Sequence, residues 1–486
     1  MKKLCIPDAR LVELDPQETY SLDETLLLNH PIIIDGHGAV LRVACAVAVK
    51  IMSSDVTLKN LHLIGGAVSV RIDSAGQTIQ NIVLQDCVIE DYGRSGLIVG
   101  GSLTGSVTEH VHVTGCTFHA AQNKDDKGHI ASPGCDLELC AALGGESSEK
   151  DYRNCFLRGL TVDHCRILGP SVCNFMIVPG LCMSGTEMSK DIFYHGCAIS
   201  DMKINDNTLM GSGDTAVAAQ TNYINNEGCW FENLEVCRNV CEFGLTGISA
   251  TAGSPMIGDV DGIIMRHVRF NHNTIWGRPG VGETNTGISA MGGIVNYYSC
   301  SCHNCGIEDV EIIGNRITQC ERGIVLNGGN SMIDADAGSE LAGNYVSDVV
   351  ITDNTMTDVM HAFILMGVWL EGRRYDWNWG WSHTFQVWLP HPDDNSRTTM
   401  IARNNYLRNV RCENNRINGY NRIVWAAGAA GRGHGLVSDN RVSDNIIFRQ
   451  NSCQNGENHL AVADVLLEDW VKDGGGNKVE MALMNI

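Results

Sequence analysis

The chain has 486 residues, of which 44% are hydrophobic and 19% charged, with 53 Gly, only 10 Pro and a formal charge of −21. That charge excludes a nucleic-acid binder, because phosphate contact needs clustered Lys and Arg, and it suits a neutral or weakly charged ligand. No apolar run reaches the ~18 residues of a membrane span, and Pro7, Asp8 and Arg10 interrupt what Met1-Lys2-Lys3 could begin as a leader, so a cytoplasmic location is expected.

Residues 1–30 follow no repeat and are expected to cap an open strand edge. From Pro31-Ile32-Ile33-Ile34-Asp35-Gly36 onward a repeat begins, clearest between Glu308 and Gly329. There Val310 and Ile312, then Ile317, then Ile324 and Leu326 alternate with period two, as strands with one buried face do. Asn315 sits at the first corner, and Gly328-Gly329 is expected at the exit of the coil. One such unit cannot bury its apolar face, so it implies stacked neighbours.

The corner position recurs as Leu61, Cys87, Cys116, Cys165, Asn207, Asn239, Asn273, Asn315, Asn354, Asn415 and Asn451. Three residues earlier, five residues earlier and two residues later, every copy is apolar. Of the 20 cysteines, Cys241, Cys412 and Cys453 fall in apolar columns and Cys87, Cys116 and Cys165 in the corner column. Free thiols act there as small hydrophobes, so a reducing compartment is expected, with stacked thiols replacing part of an Asn ladder. About twelve three-strand coils reach residue 458, and residues 459–486 read as a second cap on a single domain, 1–486.

These columns resemble the right-handed parallel β-helix superfamily over about residues 31–465. It includes pectate lyases, polygalacturonases, alginate epimerases, inulin fructotransferases and phage tailspikes. The resemblance implies an all-β solenoid of carbohydrate-active type, although the fold hosts many chemistries. Gly433-His434-Gly435 matches one polygalacturonase motif but lacks its partners in order. Inulin fructotransferases and related difructose-anhydride enzymes are similar in size and repeat style, with no catalytic motif matched residue by residue.

Excess length collects after the third strand of each coil, at about 178–195, 220–230, 292–306, 328–347, 367–405 and 427–440, with another insertion at 120–134. Insertions at one corner of a rigid scaffold are where sites usually form. The longest holds five of the nine tryptophans between Trp369 and Trp388. Trp377, Trp379 and Trp381 alternate and would share one face, suited either to a sugar ring or to subunit packing. Arg373, Arg374 and His383 could reach hydroxyls or a carboxylate.

In Cys135-Asp136-Leu137-Glu138, alignment of Leu137 with Ile248 and Ile324 is expected to put Asp136 and Glu138 on the outer face. Their separation of roughly 6.6–7 Å suits an acid/base pair with room for water. Asp214 opens the equivalent strand two coils later, and stacked carboxylates would raise one pKa. The competing explanation is an acidic surface on an acidic protein. Asp334, Asp336 and Glu340 share a loop with oxygens suited to Ca²⁺, against the commoner acidic loop. Cys300, Cys302, His303 and Cys305 cluster without a second Cys pair at zinc spacing.

The expectation is an enzyme that cleaves or rearranges a glycosidic bond in an oligosaccharide by carboxylate catalysis, with no cofactor or metal. Asp136, Glu138 and Asp214 are the catalytic candidates, then Glu371 and Asp376; Arg373, Arg374, Trp377, Trp379, Trp381 and His383 would bind substrate. The two groups lie about six coils, roughly 29 Å, apart, which a homotrimer could close; Val325, Ile364, Met366 and Val424 would supply its apolar face. The alternatives are a lyase or epimerase on acidic sugars, using Tyr297, Tyr298 and Arg373, and a non-catalytic carbohydrate-binding or structural β-helix.

Overall fold

A computed structural model describes the chain except residues 1, 5, 7–8, 122, 125–129, 132–133, 146, 183–190, 221–224, 256–257, 279–284, 296–299, 334–338, 374–380, 383–386, 389–399, 432–433, 457–459, 469 and 485–486. For residues 123–124, 130–131, 181–182, 332–333, 371–373, 381–382, 387–388, 434 and 470 it describes the backbone alone.

One coil comprises Ser301–His303, Gly306–Ile313 and Arg316–Ile333. The next comprises Glu340–Ala342, Tyr345–Thr352 and Thr355–Arg373, paired in parallel as Ser301 with Glu340, Gly306 with Tyr345 and Arg316 with Thr355. Repetition builds three long parallel sheets of 24, 15 and 9 strands among the described residues. Crossovers between parallel strands of one sheet are right-handed, and the chain is a right-handed parallel β-helix.

The first corner forms because the residue before each ladder position takes a left-handed turn. Asn60, Asp86, Gly115, His164, Asp206, Arg238, His272, Gly314, Asp353, Asn414 and Gln450 fill it, mostly residue types that tolerate positive φ. The ladder residue then points inward. Asn207, Asn239, Asn273, Asn315, Asn354 and Asn415 each donate to the amide oxygen of the next, ending on Asn451, at 2.9–3.1 Å. Every amide also donates to a backbone carbonyl, as Asn315 does to Phe270 O at 2.7 Å, so the buried groups are satisfied. Below the amides, the Cys87, Cys116 and Cys165 thiols point at the Leu58, Leu84 and Val113 carbonyls.

A second ladder, outside the corner column that begins at Leu61, stands at another corner. It runs Asn344, Asn405, Asn440, Asn477 with amide contacts of 2.9–3.0 Å, continuing a column that includes Cys155, Cys197 and Cys305. Its signal was available: it lies ten residues upstream of the first ladder, as Cys155 does from Cys165 and Asn344 from Asn354. It also explains the cysteine cluster, since Cys300, Cys302 and Cys305 are buried and the Cys305 N–H donates to Asn344 Oδ1 at 3.0 Å.

Gly328-Gly329 is not the exit from its coil: the strand Arg316–Ile333 runs through it. Gly292, Gly328, Gly367 and Gly428 occupy equivalent places where strand three passes against the backbone of Tyr345, Tyr406, Arg441 and Lys478. A Cβ on Gly367 would lie 2.4 Å from Gly428 O and 2.6 Å from Arg441 N, so close approach rather than turning demands glycine.

Both end segments are themselves coil-forming. Leu11–Glu13, Thr19–Leu22 and Leu26–Leu28 pair with Ile33–Asp35, Val40–Val43 and Val49–Ile51. Leu460–Leu467, Trp470–Asp473 and Lys478–Met484 form the last described turn. No helix among the described residues is long and apolar enough to cross a membrane.

Candidate functional site

Strand three does not alternate regularly at its start: two consecutive residues face inward before alternation resumes. A Cβ on Gly287 would meet Ile317, and one on Gly96 would meet Phe118 at 2.6 Å and Tyr92 at 3.1 Å, all core side chains. Asp136 precedes the Leu97–Leu137 pair in this same inward column. The expectation that Asp136 shares an outer face with Glu138 is therefore corrected, because coil closure bends the strand between them.

Asp136 is wholly buried and accepts hydrogen bonds from Tyr92 OH at 2.5 Å, Ser171 Oγ at 2.7 Å and Asn174 Nδ2 at 2.9 Å. Burial pushes its pKa up to about 6, against those three donors and His119. It is committed to closing the corner. The raised pKa has a testable sign: the favoured protonated form is fully present below about pH 4 and is lost as pH rises through 6. Across that interval Asp136→Asn should gain on the wild type by about 3 kcal/mol, following from a shift of about two units. Urea unfolding of both proteins at pH 4 and pH 7 measures it; parallel stability curves would refute it.

Glu138 does face outward, with its register neighbours Ile98 and Met176. It is 4% exposed, lies 3.8 Å from Arg94 Nε, and burial raises its pKa against the pull of Arg94 and Arg71. Asp214 stacks on Val172, its N–H donating to Val172 O at 2.9 Å and its carboxylate accepting from Thr215 Oγ1 at 2.9 Å. Burial raises this pKa also. The three carboxylates thus occupy three different columns, and no Asp136–Glu138 pair faces solvent.

Glu371 lies in the strand Thr355–Arg373 with Arg373, and Trp381 in a two-residue strand; their side chains, and Arg374, Asp376, Trp377, Trp379 and His383, fall outside the described residues. Tyr297, Tyr298, Asp334 and Asp336 do as well. Glu340 is engaged by Arg403 at 2.8 Å and His303 at 3.4 Å. Val325, Ile364 and Met366 form an outward apolar group with Trp369, whereas Val424 belongs to the main core and Trp425 takes its expected outward place. Val325, Ile364 and Met366 are already buried within one chain, so they offer no open face to another subunit.

An open cleft of about 730 Å³, signalled by no motif in the chain, lies at the corner entering strand three, lined by Asn285, Glu321, Asp358, Met360, Tyr420 and Asn421. Glu321 is positioned by its N–H donating to Asn285 Oδ1 at 2.6 Å, one coil away. Asp358 sits on a left-handed corner residue, φ 55°, and points toward Gly419, where a Cβ would come within 2.7 Å of its carboxylate. Register places Cys320 beside Val359, so Glu321 and Asp358 are one strand and two residues apart, roughly 8 Å between backbones.

Beside the cleft Arg322, His361 and Arg422 stack in register. Arg322 lies 4.3 Å over the Trp369 ring and Arg422 5.1 Å over the Trp425 ring, and the two indoles meet edge-on at 5.3 Å. Burial and then the two guanidiniums lower the His361 pKa to about 4, which keeps the imidazole neutral at pH 7. Two carboxylates and two side-chain amides thus line the cleft, and the neutral imidazole, the guanidiniums and the indoles form a separate cluster on the adjoining residues of strand three. The described residues contain no cluster of three or more metal-ligating side chains.

Fold and site together define a right-handed parallel β-helix with an open cleft that carries two carboxylates and two side-chain amides. No family model and no curated protein matches the sequence. Among solved structures, the chain is similar to the tailspike protein of E. coli bacteriophage HK620 in complex with a pentasaccharide, with 13% identity over 90% of this chain and 74% of that one, TM-score 0.31. It is also similar to the Azotobacter vinelandii mannuronan C-5 epimerase AlgE6 A-module, with 12% identity over 89% and 91% of the two chains, TM-score 0.21. The PL6 family alginate lyase AlyGC shows 8% identity over 96% and 100%, TM-score 0.15. Likeness this loose has no bearing on chemistry.

Proposed function

We propose that the protein is a carbohydrate-active enzyme that cleaves a glycosidic bond at the Glu321–Asp358 cleft. The observation behind this reading is the meeting of two carboxylates with Asn285, Asn421 and Tyr420 in an open cleft, beside the Arg322–His361–Arg422 column and its indoles. Sugar hydroxyls need mixed donors and acceptors, and the C–H face of a sugar needs an aromatic or apolar surface. Glu321, half-buried, is assigned as general acid; Asp358, exposed, as the base that activates water. A carboxyl separation near 6.5–9.5 Å would correspond to inversion.

A second reading is elimination on an acidic sugar, favoured by one feature. His361 is held neutral between two guanidiniums, so it could accept a proton while Arg322 and Arg422 hold a sugar carboxylate. Under this reading the acid limb of the rate profile falls near pH 4 rather than near the ordinary histidine value of about 6.5, and His361→Gln removes it.

A panel of neutral and acidic oligosaccharides, followed both for reducing ends and for absorbance of an unsaturated product, separates the two. Reducing ends alone support hydrolysis, both signals support elimination, and neither signal on any substrate defeats the proposal.

A further inference from the structure

Register sets four residues of the cleft in one row along the solenoid axis. Asn285 lies beside Glu321, because Thr286 pairs with Arg322. Glu321 lies beside Met360, because Cys320 pairs with Val359 and Arg322 with His361. Met360 lies beside Asn421, because Val359 pairs with Tyr420 and His361 with Arg422. All four line the cleft, one from each of four successive coils, with backbones about 4.8 Å apart. Three are polar and one is not. Met360 is 45% exposed, whereas the other apolar side chains of the lining, Cys320, Val359 and Tyr420, are buried.

A single exposed apolar side chain is ordinary on a protein surface. What sets Met360 apart is its place, one strand from Glu321 and two residues beyond Asp358 on the same strand. A sugar unit set between those two carboxyl groups lies against Met360. The flexible, polarizable thioether gives the C–H face of the ring an apolar surface. Asn421, exposed one coil farther on, can donate to and accept from a ring hydroxyl. A sugar carboxylate at the same position would meet the reverse. Two like charges stand about one strand spacing away, and a thioether cannot replace the water it would lose. The described lining residues include no Lys or Arg. The neighbouring guanidiniums, of Arg322 and Arg422, lie over the Trp369 and Trp425 rings.

We propose that Met360 determines the specificity of this cleft. Its side chain carries an uncharged sugar unit beside Glu321 and refuses a uronic acid there, so the substrate class is neutral oligosaccharides. The proposal rests on the reading of the cleft as the place where a glycosidic bond is cleaved. Met360 binds substrate and takes no part in proton transfer.

The test uses the full-length protein and matched probes: oligomers of glucose, mannose and galactose against oligomers of glucuronic, mannuronic and galacturonic acid. Initial rates are compared for wild type, Met360→Ser, Met360→Lys and Glu321→Gln, with a melting temperature for each. Wild type should cleave a neutral probe and leave its acidic match uncut. Met360→Ser should raise KM on that probe about tenfold with kcat little changed, as loss of a contact made equally in ground and transition states does. Met360→Lys should shift the acidic-to-neutral ratio of kcat/KM tenfold or more toward the acidic probe. A ratio taken within one variant cancels any effect of the new ammonium on Glu321 itself. Wild-type preference for the acidic probes overturns the proposal. So do wild-type KM and ratio in both Met360 variants, and if Glu321→Gln is then inactive the cleavage reading stands without Met360. If Glu321→Gln still cleaves while Met360→Ser raises KM, the catalytic assignment falls and the role of Met360 stands. If wild type cleaves no probe, both fall together.

Discussion

Glu321→Gln is expected to lower turnover by about 10²–10⁴-fold on the best substrate of the panel, with little change in glycan affinity. The reason is local. Glutamine keeps the shape of the side chain and leaves the bond from the Glu321 N–H to Asn285 Oδ1 in place, so the coil has no cause to move. What is lost is a group able to give a proton to the leaving oxygen. Asp358→Asn should cost a similar factor, and the double variant should be little worse than either single one, because acid and base act in one step. Asp358 also faces Gly419 closely, so Asn, which preserves the contact, is preferred to Ala. Initial rates by reducing-end release decide the outcome. Undiminished rates in both variants would remove the cleft from the mechanism and return attention to Glu138 and Asp214.

The second large effect is on stability. Asn315→Leu should destabilise the protein by about 4 kcal/mol or more, since each buried group left unpaired costs about 1–3 kcal/mol. Asn315 is wholly buried and accepts from the Asn273 N–H at 2.9 Å and Asn273 Nδ2 at 3.1 Å; it donates to Phe270 O at 2.7 Å and Asn354 Oδ1 at 2.9 Å. Leucine fits the volume and orphans the partners. Because each coil contacts only its neighbours, the loss should appear as early hydrogen exchange in the coils around residues 264–277 and 340–357. Cys116→Ala, in the thiol part of the same column, should cost much less, because a thiol is a weak donor. A urea midpoint for Asn315→Leu within error of wild type would sink the ladder as a source of stability.

Particular residues show why some of this was readable from the chain. Val310, Ile312, Ile317, Ile324 and Leu326 repeat their pattern in every coil because a solenoid buries one face of each strand against the same interior. The column from Leu61 to Asn451 was equally plain, because a left-handed corner residue fixes the ladder position one step later. The second ladder had the same kind of signal and differs only in phase.

The site was not readable in the same way. Asp136 and Glu138 look like a strand pair two residues apart, and only the double inward step at the corner separates them. Glu321, Asp358 and Asn421 are unremarkable in the sequence and belong to three successive coils, while Asn285 comes from the coil before them. Trp425, rather than Val424, faces outward for the same reason that Asp136 faces inward.

The stack of coils, its first ladder and the interior columns are legible along the chain, because these depend on local alternation and turn chemistry repeated many times. Which polar groups meet is settled by the folded coils. That depends on how strand three bends as each coil closes, and on register between coils some forty to sixty residues apart, as from Arg322 to His361 to Arg422. Both are consequences of closure, which no single stretch of the chain encodes.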